Sequence, residues 1–134
     1  MDDRSQLAVL LVEDDTALAS VYAELLRSDS EIGTVDTLNT GQAACEHLDD
    51  TYDVIVLDRQ LDDMSGEAVV EYSRSNDIEV GIVIVSGFDQ DENDPVDCDV
   101  YLKKPVKRAD LIDAIDAVVS RRTPPQDPPA QPSN

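Results

Sequence analysis

Val54-Ile55-Val56-Leu57-Asp58-Arg59-Gln60-Leu61-Asp62-Asp63-Met64-Ser65-Gly66 begins with four apolar, mostly β-branched residues, breaks off at a carboxylate and passes through a polar turn to Ser65 and Gly66. An apolar run of this length reads as a buried strand, and buried parallel strands are covered on both faces. Asp58 then stands at the strand's carboxyl end. In open α/β sheets ligands bind in the crevice beyond that edge, which makes Asp58 a candidate for chemistry. Its alternative reading is a turn residue that bonds only its own loop.

The neighbouring segments repeat the pattern. Leu7 to Val12 is an apolar run that ends at Glu13, Asp14 and Asp15, and Gly81 to Val85 is another that ends at Ser86. Val100-Tyr101-Leu102 leads into Lys103, Lys104 and Pro105, while Ile32 to Thr37 is more polar and suits an edge strand. Between these runs the spacing changes to steps of three and four. Leu18, Val21, Tyr22, Leu25 and Leu26 define a helix beginning near Asp15 or Thr16. Thr40 caps a second helix carrying Ala44, Cys45 and Leu48, a third runs from about Glu67 through Arg74, and Leu111, Ile112, Ile115, Val118 and Val119 form the clearest stripe of all. Strands alternating with helices imply βαβ units, right-handed crossovers and a doubly wound α/β fold with a five-stranded parallel sheet. The Gly87 to Asp99 connection has no helical periodicity and contains Pro95, so a shortened or irregular fourth helix is expected there.

Composition narrows the function. The 134 residues suit one domain, residues 1–122, followed by a Pro-rich extended tail or linker at 123–134. A net charge of -20 and a pI near 4.1 argue against direct nucleic-acid binding or an anionic membrane as partner. Cys45 and Cys98 have neither metal nor redox spacing, and the first apolar run is too short for a signal peptide or a membrane span. A soluble, cytoplasmic protein is expected. His47 has no ligand partner at metal spacing and reads as a surface residue.

The predicted topology gathers Glu13, Asp14, Asp58, Ser86 and Lys104 along one sheet edge. Three carboxylates in one crevice repel unless a cation neutralises them, and Mg²⁺, which prefers carboxylate, water and phosphate oxygens, fits that need. A neutralised Asp is a competent nucleophile for phosphoryl transfer, with an ammonium and a hydroxyl to stabilise charge on the transferring group. Lys104 and Ser86 suit those two roles.

On these motifs, Val12-Glu13-Asp14-Asp15, Asp58 with Leu61, Met64 and Gly66, Ser86, and Tyr101-Leu102-Lys103-Lys104-Pro105, the chain resembles the CheY-like receiver domain of two-component response regulators from about Leu7 to Arg121. The resemblance implies a flavodoxin-like strand order 2-1-3-4-5, with Asp58 taking phosphate from a sensor histidine kinase or phosphotransfer protein. It further implies Mg²⁺ held by Asp14, Asp58 and the backbone carbonyl of Gln60, with Glu13 acting through water, and a switch made of Ser86 and Tyr101. A cis Lys104-Pro105 peptide is also implied.

Leu57-Asp58-Arg59 with Ser65-Gly66, the acidity and the short crossover are similar to haloarchaeal regulators whose receiver precedes a HalX helical domain. That domain is absent from these residues, so the chain reads as a stand-alone receiver or as part of a longer regulator with a C-terminal output domain. Asp62 stands where the family usually has proline, which is expected to loosen the turn after Asp58 and add charge beside it.

Three other readings compete. A haloacid-dehalogenase-like phosphatase needs a second Asp where Gln60 stands, and a dinucleotide-binding domain needs a Gly-rich loop that does not follow the first strand. A degenerate receiver would bind a partner without phosphorylation. The excess of carboxylates yields a prediction of its own: self-repulsion is screened as the Debye length falls to about 3 Å at 1 M salt. The melting temperature should therefore rise between low and molar KCl, and a flat or falling profile would contradict this.

Overall fold

A computed structural model describes residues 6–89 and 97–122, without the side chains of Arg121 and Arg122. Five strands, β1 (Leu7–Val12), β2 (Ile32–Leu38), β3 (Val54–Asp58), β4 (Gly81–Ser86) and β5 (Val100–Lys103), alternate with helices α1 (Thr16–Arg27), α2 (Gly41–His47), α3 (Gly66–Ser75) and α4 (Arg108–Arg122). All strand pairs are parallel, in the order β2-β1-β3-β4-β5. The expected fourth helix falls largely on residues 90–96, outside the described residues; the flanking residues 87–89 and 97–99 are not helical. The predicted tail, 123–134, also lies outside them.

Alternation along the strands divides the core in two, because successive side chains leave a strand on opposite faces. Val9, Leu11, Val54, Val56, Val83 and Val85 pack with Ala19, Tyr22, Ala23 and Leu26 of α1 and Leu111, Ala114, Ile115 and Val118 of α4. Leu10, Val12, Ile55, Leu57, Ile82 and Ile84 face the other way, onto Ala44 of α2 and Val69 and Val70 of α3. The three central strands are thus apolar on both sides. Polar alternation survives at β2, whose Gly33, Thr34 and Thr37 are exposed, as an edge strand permits.

The first two helices begin where expected, and the third at a cap, Ser65, that the sequence reading did not name. Asp15 accepts from the amides of Ala17 and Leu18, Thr40 from that of Ala43, and Ser65 from that of Ala68. On α1 the buried face is rotated from the sequence stripe: Ala19, Tyr22, Ala23 and Leu26 are buried, whereas Val21 is 51% exposed. Two alanines allow the helix to lie close to the sheet, and the larger Leu18 and Leu25 fall at the margins of the contact. On α2, Cys45 is half-buried, and Leu48 reaches the core from the residue that ends the helix.

Ile84, fully buried in the central sheet, provides a measure of this packing. Ile84→Ala should lower the unfolding free energy by about 2–5 kcal/mol in denaturant titrations at molar KCl, while Val21→Ser should stay within about 0.5 kcal/mol. A large loss at Val21 would restore the unrotated stripe.

Candidate phosphoacceptor site

Parallel register sets the site. Val12 is level with Leu57, Asp58 with Val85, and Ser86 with Lys103. Glu13, Asp58, Ser86 and Lys104 therefore emerge within about one residue of one another at the carboxyl edge. Backbone bonds hold the strand exits in place: the Glu13 amide donates to the Leu38 carbonyl at 3.0 Å, the Arg59 amide to that of Val85 at 2.9 Å, and the Lys104 amide to that of Ser86 at 2.7 Å. The Lys104–Pro105 peptide is cis, as the resemblance implied.

The side chains converge around one ammonium. Lys104 Nζ lies 3.0 Å from Asp58 Oδ2 and 3.2 Å from Glu13 Oε1. Asp58 is 7% exposed and Glu13 only 2%. Asp58 Oδ1 accepts from the Gln60 amide at 3.0 Å, and Glu13 Oε2 from the Asp15 amide at 3.2 Å. The buried Ser86 hydroxyl accepts from the Phe88 amide at 3.1 Å. Glu13, half-buried Asp14 and Asp58 present ligand oxygens that all lie within 4.8 Å of one another. Such a cluster of hard oxygen donors, two of them buried, fits a small divalent cation of the Mg²⁺ type.

The metal-free electrostatics show the strain of this arrangement. Burial, followed by the hydrogen bond and charge of Asp58, pushes the Glu13 carboxyl up to about 7, against the opposing pull of the Asp15 amide and Lys104. Burial works against the charged Lys104, but its bonds to Asp58 and Glu13 outweigh it and raise its pKa. At the rim, the charge of Asp14 and a hydrogen bond to it raise the pKa of the Asp62 carboxyl. Asp62 therefore adds a fourth acidic group to the crevice.

The turn after Asp58 is closed without the family's proline. The Leu61 amide donates to the Met64 carbonyl at 3.1 Å, and the Gly66 amide to that of Arg59 at 2.5 Å. A Cβ on Gly66 would lie 2.6 Å from the Asp58 carbonyl oxygen and 3.0 Å from Arg59 Cα, so only glycine permits this approach. Asp63, which the sequence did not single out, accepts from the Gly41 amide at 2.8 Å and the Gln42 amide at 2.9 Å, tying the turn to the start of α2. The loosening expected from Asp62 is thus opposed by a clamp one residue later.

Tyr101 is half-buried on β5, with its hydroxyl donating to the Phe88 carbonyl at 2.8 Å. Arg59, also absent from the sequence-derived site, donates to the same hydroxyl at 3.3 Å. Neither Asp63 nor Arg59 lies in a periodic pattern, since each acts on a residue distant in sequence. His47 is exposed, as expected, against the ring of Tyr52.

A doubly wound sheet of this order, with an acidic pocket and a lysine at its carboxyl edge, defines the receiver class, and residues 9–116 match the response regulator receiver domain family. The chain belongs to that family, whose place is in two-component signalling. It is 35% identical over 120 residues to the cell cycle response regulator CtrA of Brucella ovis, covering 86% of this chain and 51% of CtrA. A Haloferax volcanii protein assigned by its name to transcriptional regulation is 31% identical over 119 residues, covering 87% of this chain and 20% of that protein. The chain thus spans about half of the first relative's length and a fifth of the second's. Among solved structures, the receiver domain of the Pseudomonas aeruginosa sensor histidine kinase PA1611 has a TM-score of 0.72 and 26% identity, covering 85% of this chain and 98% of that one; it holds a magnesium ion in its active-site cleft. The phosphatase, dinucleotide-binding and phosphorylation-independent readings are not favoured by these likenesses.

The raised Glu13 pKa makes stability depend on pH. In the native state Glu13 keeps its proton to about 7, whereas in the unfolded chain it releases it in the ordinary carboxylate range. The native state therefore binds more protons over this interval, and the corresponding stability is lost as pH rises towards 7. In metal-free buffer the wild type should lose stability relative to Glu13→Gln across that window, as read from denaturant midpoints; parallel curves would contradict it.

Proposed function

We propose that the chain is a phosphoacceptor switch in which Asp58 accepts a phosphoryl group from the phosphohistidine of a sensor histidine kinase or phosphotransfer protein. The observation that supports this most directly is Lys104 Nζ between Asp58 and Glu13, at 3.0 and 3.2 Å, in a pocket that excludes most water from both carboxylates. Asp14, Asp58 and the Gln60 carbonyl, with Glu13 through water, would hold Mg²⁺, which when bound supplies neutralising charge and aligns phosphoryl oxygens.

An Asp58 carboxylate oxygen attacks phosphorus as the phosphorus–nitrogen bond of the donor breaks. The electron pair remains on the imidazole nitrogen, which takes up a proton, and Asp58 becomes an acyl phosphate. Lys104 follows the charge from the carboxylate to the phosphoryl oxygens, and the Ser86 hydroxyl turns to donate to one of them. Hydrolysis of the acyl phosphate to inorganic phosphate restores the carboxylate. Tyr101, linked to Ser86 through the amide and the carbonyl of Phe88, carries the change to the outer face of β5. A partner protein or a C-terminal output domain reads it there.

Two features agree with action in the cytoplasm: neither cysteine is in a disulfide, and no helix among the described residues is long and apolar enough to cross a membrane. Incubation with acetyl phosphate and Mg²⁺ in molar KCl should add the mass of one phosphoryl group to the wild type and none to Asp58→Ala. Lys104→Ala should slow the incorporation by about 10²-fold or more. Absence of an adduct on folded wild type, with Mg²⁺ binding lost as well, would instead support an interaction module that acts without phosphorylation.

A further inference from the structure

Four hydrogen bonds link the Ser86 hydroxyl to the surface of α3. The Phe88 amide donates to Ser86 Oγ at 3.1 Å, and the Tyr101 hydroxyl donates to the Phe88 carbonyl at 2.8 Å. Arg59 Nη1 donates to the Tyr101 hydroxyl at 3.3 Å, and Arg59 Nη2 pairs with Glu67 Oε2 at 3.0 Å. The guanidinium carbon also lies 6.0 Å from the centre of the Tyr101 ring. A single residue, Phe88, therefore connects the site's hydroxyl to the tyrosine through the peptide units on either side of its Cα, and Arg59 ties the tyrosine to α3.

Arg59 is well placed to act as a fixed anchor. It follows Asp58 directly, its amide is bonded to Val85 and its carbonyl to Gly66, and its side chain is only 13% exposed. Glu67 holds the guanidinium from the first turn of α3. The Ser86 hydroxyl has the opposite character. A Ser86 side chain that moves toward a phosphoryl oxygen on Asp58 gives up the Phe88 amide, which frees Phe88 to turn about its Cα and weakens the hold of its carbonyl on the Tyr101 hydroxyl. The tyrosine then has two courses: to remain on Arg59 or to follow the space vacated by Ser86.

We propose that Arg59 is a positioning residue that latches Tyr101 in the resting arrangement, so that the Arg59–Tyr101 contact sets how readily the phosphorylated arrangement forms; this rests on the phosphoacceptor reading of Asp58. The contact exists in the resting state and is given up in the switched one, and an interaction with such differential strength shifts the balance between two states. Arg59 does not touch the reacting atoms in this scheme. It acts through the tyrosine, and Glu67 keeps it from following the ring inward.

The test compares wild type with Arg59→Met, which keeps the chain length and removes the donors, and with Arg59→Lys, which keeps one charge. With selectively ¹³C-labelled tyrosine, the Tyr101 ring resonance of the unphosphorylated protein should move in Arg59→Met and move less in Arg59→Lys. Beryllofluoride with Mg²⁺, a mimic of the phosphoryl group, should bind Arg59→Met roughly threefold to tenfold more tightly than wild type, the range expected for one ordinary hydrogen bond. In a Tyr101→Phe background the same Arg59 substitution should change that affinity by less than about twofold. An unmoved Tyr101 resonance in Arg59→Met, or an Arg59 effect of undiminished size in Tyr101→Phe, would overturn the latch. Failure of wild type to bind beryllofluoride would count against the phosphoacceptor reading instead, while the Tyr101 resonance would still decide on the latch.

Discussion

One ammonium held between two buried carboxylates is the contact on which the rest of the site depends. Glu13 and Asp58 come from adjacent strands, and parallel pairing forces their side chains into the same crevice whether or not their charges agree. In a place so short of water, two ionised carboxylates are strongly destabilising, and Lys104 only partly offsets them. Glu13 consequently holds a proton to about 7. That buried proton marks where the proposed chemistry would act: a divalent cation would take its place, and a phosphoryl group on Asp58 would give Lys104 a second anionic partner.

The sheet makes this arrangement affordable. Its central strands bury apolar residues on both faces, so the electrostatic strain at the carboxyl edge rests on a core that extends across β1, β3 and β4. The turn after Asp58 is fixed independently of that core, by the backbone approach at Gly66 and by the Asp63 clamp onto α2. Asp62 is free of any task in closing the turn and instead faces Asp14. Where a proline would stiffen the turn from within, this chain stiffens it from outside and gains an acidic neighbour at the rim.

Most of this was legible in the sequence because it is periodic. Apolar runs that stop at carboxylates, a serine and a lysine locate the strand ends, and the alternation with helical spacing implies a parallel sheet with those ends on one edge, which is why Asp58, Glu13, Asp14, Ser86 and Lys104 could be named together; the strand order itself came from the resemblance to receiver domains. What escaped is aperiodic. Asp63 and Arg59 look like ordinary charged turn residues until the fold brings Gly41 and Tyr101 to them. The inner face of α1 was misplaced for a related reason: a stripe weighted by hydrophobic size favours Val21, whereas close packing against the sheet favours Ala19 and Ala23. Size and proximity compete, and the sequence pattern reports only the first.

The acidity of the chain bears on how local the chemistry must be. Its three lysines, Lys103, Lys104 and Lys107, lie within five consecutive positions at the junction of β5 and α4, in a protein of net charge -20. At low ionic strength the surface field would repel an anionic phosphodonor over distances of a Debye length, about 10 Å at 0.1 M salt. At molar salt that length falls to about 3 Å, and only groups in direct contact still sense one another. The Lys104 contacts with Asp58 and Glu13 survive such screening because they are short and largely buried. The Lys103–Asp89 pair, with side chains 53% and 83% exposed, is open to it. High salt thus separates the two scales of electrostatics: it screens the repulsive surface and leaves the short contacts within the crevice in place.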